Sequence, residues 1–453
     1  MPTTLLSNIA STHTLLEQIV QARRQTDQLF AIVHPDALYD RPIAERHRIV
    51  FYIGHLEAFD WNLLHDGVLG LQSFHPEFDH LFAFGIDPVG GGLPTDQPSD
   101  WPSVAAVREY VKAIRARLDE KLSDALDSNS LDASLAVKSG AEFSLSTLLN
   151  VAFEHRLMHA ETLAYMLHQL PLDRKLPQAE SLELEVGSVQ HRSIEIPAGE
   201  ITLGLDRASG AFGWDNEFES HGVHVPAFSI DQYKVTNAQY LEFLEAGGYQ
   251  NQALWSSEDW NWISQNKISH PAFWRRNESG QGWFYRTMFS DVPLPADWPV
   301  YVSQAEAKAY AKWAGQSLPT EAEWQRAAYS KPSGGQRLYP WGDEAPSKSL
   351  GNFDFHRWNP TPVNAYPAGA SACGAHGMLG NGWEWTATEF APFPGFQAFS
   401  FYPGYSANFF DGKHFVMKGG SARTAACMLR PTFRNWFQAH YQFIYTGFRC
   451  VRR

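Results

Sequence analysis

The feature that most constrains this chain is a change of hydrophobic period between residues 172 and 190. Before it, leucine, isoleucine and other apolar residues recur at three- and four-residue steps, the repeat of one helix face. After "PLDRKLP" the apolar residues alternate in short runs broken by turn residues, the repeat of strands. A face built on one repeat does not serve as the other, so the two halves belong to different domains. The expected fold class is multidomain: an α domain over 1–172, a linker over 173–190 and an α+β domain over 191–453.

Four long helical stretches read out of the first half. "TLLSNIASTHTLLEQIVQARRQTDQLFAIV" is the first. "AERHRIVFYIGHLEAFDWNLLHDGVLGL" is the second, with Pro42 placed as a first-turn residue. "GIDPVGGGLPTDQPSDWP" must be loop, because Gly and Pro at that density break a helix. "SVAAVREYVKAIRARLDEKLSDAL" is the third, capped by Ser103, and "SLSTLLNVAFEHRLMHAETLAYMLHQL" the fourth, starting at Ser144 or Ser146. Four helices with one long connection make an up-down four-helix bundle.

In the second half "SIEIPAGEITLG" and "HGVHVPAFSIDQYKVTN" are strands, while "NAQYLEFLEAG" and "SQAEAKAYAKWAG" are short helices. Thr320 before Glu321 and Glu323 in "LPTEAEW" is a helix-start signature. Gly419 and Gly420 in "KGGS" sit where tight backbone is expected. These motifs belong to the fold and not to the chemistry.

The net charge of −13, with no basic block, excludes nucleic acid and an anionic membrane surface as main partners, since phosphates call for a basic footprint. No apolar run approaches the roughly eighteen residues of a spanning helix. The start, "MPTTLLSNIASTHTLLEQIVQARRQ", has no basic n-region ahead of an apolar run and reads as an amphipathic helix, not a signal peptide. Three sparse cysteines (Cys373, Cys427, Cys450) without a CxxC exclude a disulfide scaffold and a thiolate zinc site. A reducing cytoplasm is the expected location.

The stretch most suggestive of chemistry is "EHRLMHAETL". Residues four apart on a helix share a face, so His155 and His159 can reach one ion. Glu161 points elsewhere and fits a partner to a ligand, or a surface charge, better than a ligand. A third donor must come from another helix; "AERHRIVFYIGHLEAFDWNLLHDG" offers His47, His55 and His65. His55 lies mid-helix beside Gly54, where a partner helix could pack closely, and the other two lie near the ends. Spacing alone leaves incidental histidines, a hydrogen-bonded core histidine at His55, and a three-histidine site for zinc or iron all open.

"RHRIVFYIGHLEAFDW" with "EHRLMHAETL" resembles the DinB-like bundle of the ergothioneine-biosynthesis sulfoxide synthase family. "FGWDNEFESHGVHVPAFSIDQYKVTNAQYLEFLEAGGY", "SLPTEAEWQRAAY", "LGNGWEWT", "KGGSAR" and "GFRCVRR" resemble the formylglycine-generating-enzyme-like (C-type-lectin-like) domain of that family. Both halves appear in the family's order over nearly the whole chain. The resemblance implies a mononuclear non-haem Fe(II) held by His55, His155 and His159. It also implies hercynine as substrate, O2 as oxidant and a sulfur donor, with bond formation at the imidazole carbon between the two nitrogens. Selenoneine synthase is a close relative that takes a selenosugar.

The same resemblance maps substrate contacts. Asn435 and Trp436 in "FRNWFQ" match the betaine-binding pair; a quaternary ammonium donates no hydrogen bonds and is held by aromatic faces. Read without the family, Trp436 is core packing. Met158 stands where the family often has a Gln touching the substrate imidazole. Phe437 replaces the Asp that one branch uses for gamma-glutamylcysteine, which disfavours that donor. Phe437 and Phe393 are therefore placed on the donor side. The family's oxygen-steering tyrosine is missing from "ATEFAPFPGF" and from "HLFAFGIDPVGGGLPTDQP", which leaves Tyr402 and Tyr405 as candidate substitutes. The losses put a thiol such as cysteine and a selenosugar on near-equal footing, and no residue is assigned as proton donor.

Three other readings stand beside this one. Formylglycine generation would need a second cysteine five residues after Cys427, where Thr432 stands. A DinB-like thiol transferase would use the same three histidines with zinc or nickel and no second domain. A lectin-like binding module would have no use for three convergent histidines.

Overall fold

The computed structural model describes residues 12–83, 93–127, 134–136, 142–180, 184, 186–277, 280, 282–331 and 334–453. Residues 4–11 of the expected first helix and 85–92 of the expected Gly-rich loop lie outside them. The chain divides into two compact units, Met1–Gln178 with Phe399–Pro403, and Ala179–Ala398 with Gly404–Arg453.

The first unit is built on α1 (Thr12–Ala31), α2 (Ile49–Leu64), α3 (Pro76–Leu81), α4 (Val104–Asp127) and α5 (Leu145–His168), with an antiparallel pair β1 (Ser134–Ala136) and β2 (Glu142–Ser144). Helix α1 packs on α5, and α2 on both α4 and α5. Helices α2 and α5 are buried along nearly their whole lengths, as their apolar composition requires. The start of α5 is set by Ser144, whose Oγ accepts the Thr147 N–H at 3.1 Å. Ser103 starts α4 in the same way, accepting from Ala106 N–H at 3.2 Å.

Helix α2 departs from the sequence expectation. It begins at Ile49, not in a first turn after Pro42. Residues 42–46 form turns instead, and Arg48 stays extended (φ −66°, ψ 156°). The Arg48 guanidinium donates to Asp96 Oδ2 at 2.9 Å and to the Tyr39 carbonyl at 2.7 Å, which holds the chain out of the helix. The short α3 was not foreseen. Its Asp79 accepts from Tyr110 Oη at 2.6 Å and Trp61 Nε1 at 3.1 Å, tying it to α4 and α2.

The second unit runs β3 (Ser193–Ile196), β4 (Gly199–Leu203), β5 (His221–Val225), β6 (Phe228–Asp231), α6 (Asn237–Glu245), α7 (Ser257–Gln265), β7 (Trp274–Arg276), β8 (Trp283–Arg286), β9 (Asp291–Pro293), α8 (Gln304–Trp313), α9 (Glu321–Tyr329), β10 (Trp383–Glu389), β11 (His414–Lys418), β12 (Asn435–Gln438), β13 (Thr446–Gly447) and β14 (Val451–Arg452). A four-stranded sheet, β12-β11-β10-β13, and two three-stranded ones, β14-β6-β3 and β7-β8-β9, stand with the pair β4-β5. Capping boxes at Thr236, Ser303 and Thr320 start α6, α8 and α9. Trp324 of α9 centres a core with Ile230, Met378 and Leu429. Within it Glu384 is buried and accepts from Arg449 at 2.6 and 2.8 Å. Gly419 (φ 101°) passes so close to the Met378 carbonyl that a Cβ would stand 2.7 Å from it.

Candidate metal centre

Helices α2 and α5 bring His55, His155 and His159 together, all buried. His155 Nε2 lies 3.1 Å from His159 Nε2, which lies 3.3 Å from His55 Nε2. The Phe82 carbonyl, 2.7 Å from His55 Nδ1, accepts a hydrogen bond from Nδ1–H and so leaves the Nε2 lone pair facing its neighbours. Gly54 makes room for that arrangement, because a Cβ would meet the Phe82 ring at 2.6 Å. The close partner of Gly54 is thus this ring at the end of α3 and not a packing helix, as the sequence had suggested.

Burial holds His55 down to about 4 and keeps His155 and His159 well below the usual imidazole range; the neighbouring imidazoles and Arg156 add to the effect. All three are therefore neutral at pH 7, the form that ligates metals. Three mutually facing imidazole nitrogens cannot all be satisfied by single protons, whereas one cation satisfies them at once. Imidazoles bound to one ion at about 2.1 Å stand about 3.0–3.4 Å apart at square to tetrahedral angles, which is the spacing of the His155–His159 and His159–His55 pairs. The residues fit a divalent metal, and zinc and iron equally.

Aromatic rings from one stripe of α2 line the triad. Phe51 stacks on His55 at 4.8 Å and Phe59 on His155 at 3.4 Å. Phe51, His55 and Phe59 recur every four residues, a helical stripe legible in the sequence. The segment Phe399–Pro403, part of this unit, brings the Tyr402 ring 5.5 Å from Phe59 and 6.5 Å from His155. The other histidines of the second helix stay apart from the triad. His47 precedes α2 and packs on Phe51, and His65 closes its end, Nδ1 2.8 Å from the Trp61 carbonyl. On α5 Glu161 is buried and Met158 half-buried, and among the described residues the gathered ligand atoms are those of the three histidines.

In the second unit Trp436 lies on β12 against Phe390, stacked at 4.2 Å, with Tyr405 at 5.4 Å and Phe409 at 5.6 Å. Asn435 Oδ1 accepts the Trp436 N–H at 2.8 Å. The pleat sends Asn435 and Phe437 to the face opposite Trp436. Phe437 stacks on Tyr441 at 5.1 Å, whereas Phe393 lies under the Arg434 guanidinium at 3.9 Å, which also faces Phe390 at 5.1 Å. Tyr405 stacks on Trp214 at 4.0 Å. Thr432, at the position where a second cysteine would be needed, donates to Glu217 at 2.5 Å.

Residues 180–453 match the sulfatase-modifying factor enzyme 1-like domain family, and residues 18–163 the DinB superfamily. The hercynine oxygenase of Mycobacterium tuberculosis is 38% identical over 84% of this chain and 83% of its own. The chain belongs to the ergothioneine-biosynthesis sulfoxide synthase family. A second hercynine oxygenase, from Mycolicibacterium thermoresistibile, is 40% identical over 66% of this chain and 67% of its own. Ergothioneine biosynthesis protein 1 of Neurospora crassa is 28% identical over 92% of this chain and 55% of its own. The fold class expected from the sequence is the one found, a DinB-like helical domain followed by a formylglycine-generating-enzyme-like domain. Among the described residues no helix is long and apolar enough to cross a membrane.

Proposed function

We propose that the chain is an oxidoreductase that uses O2 to join a sulfur or selenium donor to the imidazole carbon of hercynine. The observation that carries this reading is the buried triad of neutral imidazoles in a chain whose sequence follows hercynine oxygenases through both units. For a thiol donor the balance is hercynine C–H plus R–SH plus O2 giving the C–S(=O)–R product and water. Fe(II), held by His55, His155 and His159, would supply the activation of oxygen. The protein's part is to hold three neutral imidazoles in a dry site and to bind the betaine against the Trp436 ring, with Asn435 supporting that pair through the Trp436 N–H. Met158 on the triad helix faces the substrate imidazole in this reading, and Tyr402 is a phenol close to the centre, its ring 6.5 Å from His155, as is Tyr52, 6.0 Å from His159. Phe437 and Phe393 remain the proposed donor-side walls, and Glu161 is a buried carboxyl on the ligand helix that bonds Nδ1 of none of the three imidazoles. A bundle-only thiol transferase would not call for similarity to hercynine oxygenases over both units, and a binding module would not call for the triad.

The test is anaerobic reconstitution with Fe(II), then aerobic turnover of hercynine with cysteine, gamma-glutamylcysteine and a selenosugar in parallel, read by mass spectrometry. A hercynyl-cysteine sulfoxide or a carbon–selenium product identifies the donor. No product from any donor overturns the reading.

A further inference from the structure

We infer that Arg156 is a positioning residue for the metal centre, setting the register of α5 against α2; this rests on the reading that the triad holds a metal. Arg156 follows His155 directly and reaches across to the turn of α2 that follows His55. Its Nη1 donates to Glu57 Oε1 at 2.9 Å, and its Nη2 to Asp60 Oδ2 at 2.6 Å and to the Leu56 carbonyl at 3.0 Å. All three side chains are buried, with Arg156 1% exposed. Glu57 is held in turn by Arg115 of α4 (2.8 Å) and Arg23 of α1 (3.7 Å), so one cluster ties all four long helices at the level of the ligands.

A buried ion cluster adds little to stability over well-packed apolar residues, but its fixed fork geometry specifies one arrangement of the elements it joins. That specification matters here because the polar neighbours that usually aim metal-binding imidazoles are missing for two of the three. His55 has the Phe82 carbonyl, whereas Nδ1 of His155 and of His159 has no hydrogen-bond partner among the described residues. Their aim depends on the Phe59 stack and on where α5 sits against α2. A side chain one residue from His155, bonded one, two and five residues beyond His55, is placed to set that.

The experiment compares Arg156→Met, Arg156→Lys and Asp60→Asn with the wild-type full chain. Folding is read by circular dichroism and metal-free Tm, and metal binding by Co(II) titration and the visible ligand-field bands of the Co(II) form. We expect folded variants that bind Co(II) at least roughly tenfold more weakly, with shifted bands, as for other groups that support metal ligands. Lysine, which keeps the charge without the fork, should recover Tm more than Co(II) affinity. Wild-type Kd and bands in folded Arg156→Met or Asp60→Asn would overturn the inference. So would failure of both to fold, since the cluster would then be holding the bundle and not aiming ligands. If the wild-type chain itself takes up no metal, it is the metal reading that fails.

Discussion

His55 and His155 are held by different neighbours, the Phe82 carbonyl and the Phe59 ring, so single substitutions around the centre should differ in kind. His155→Ala removes one of three donors; metal content after Fe(II) loading should drop to background and turnover should vanish. Full activity in that variant would take His155 out of the ligand set. Gly54→Ala acts one step away. Its Cβ would meet the Phe82 ring at 2.6 Å and displace the carbonyl that holds His55 Nδ1. Overpacking of this kind costs about 1–3 kcal/mol, so metal affinity and Tm should fall together, as read by metal titration and melting. Trp436→Ala should raise the KM for hercynine by about twofold to thirtyfold, matching the loss of about 0.5–2 kcal/mol of cation–π attraction, and leave the donor's KM nearly unchanged. An equal rise in both would count against a betaine role.

At the scale of elements, local signals decided where helices begin only where a side chain closes on its own backbone. Ser144 and Ser103 do so, and α5 and α4 start where those serines predict. Ser144→Ala should cost about 1 kcal/mol, seen as a lower Tm of the metal-free chain. Pro42 failed as a start signal because Arg48 is held extended by Asp96, which lies 48 residues along the chain. No window around Pro42 contains that partner. The alternation of "FRNWFQ" placed Trp436 on a strand, but its aromatic neighbours Phe390, Tyr405 and Phe409 arrive from a segment 27 to 46 residues earlier, folded back onto it.

For the molecule as a whole, the second unit carries buried acid–base pairs whose loss should set its acid stability. Burial alone would raise Glu217, but Arg430 and Thr432 outweigh it and hold the carboxyl below its usual range. Glu384 is held low likewise, with Arg449 and Lys234 overcoming its burial. A carboxyl whose folded pKa is depressed stabilises the fold above its unfolded pKa of about 4.3 and loses that contribution as pH falls through the folded value. Melting of the full chain followed by tryptophan fluorescence should therefore show the contribution unchanged from pH 7 to about 5.5 and declining below about 4.3. Glu217→Gln should flatten part of that decline while lowering Tm at pH 7; an unchanged acid limb would show that the pair is not responsible.

The sequence alone determined the two-part organisation, because hydrophobic period is a local property that tertiary contacts do not rewrite. It also determined that His155 and His159 share a face, since the helical repeat fixes residues four apart. By spacing alone the third histidine was a choice among three; the family resemblance pointed to His55, and the packing of α2 on α5 sets it 3.3 Å from His159 while leaving His47 and His65 outside. The tertiary structure alone put Phe82 under His55, Tyr402 near His155, and the Arg156 guanidinium against Glu57 and Asp60. Those partners lie from 27 to nearly 250 residues apart, and which of them meet depends on how whole helices settle against one another, a property of the packed chain and of no stretch within it.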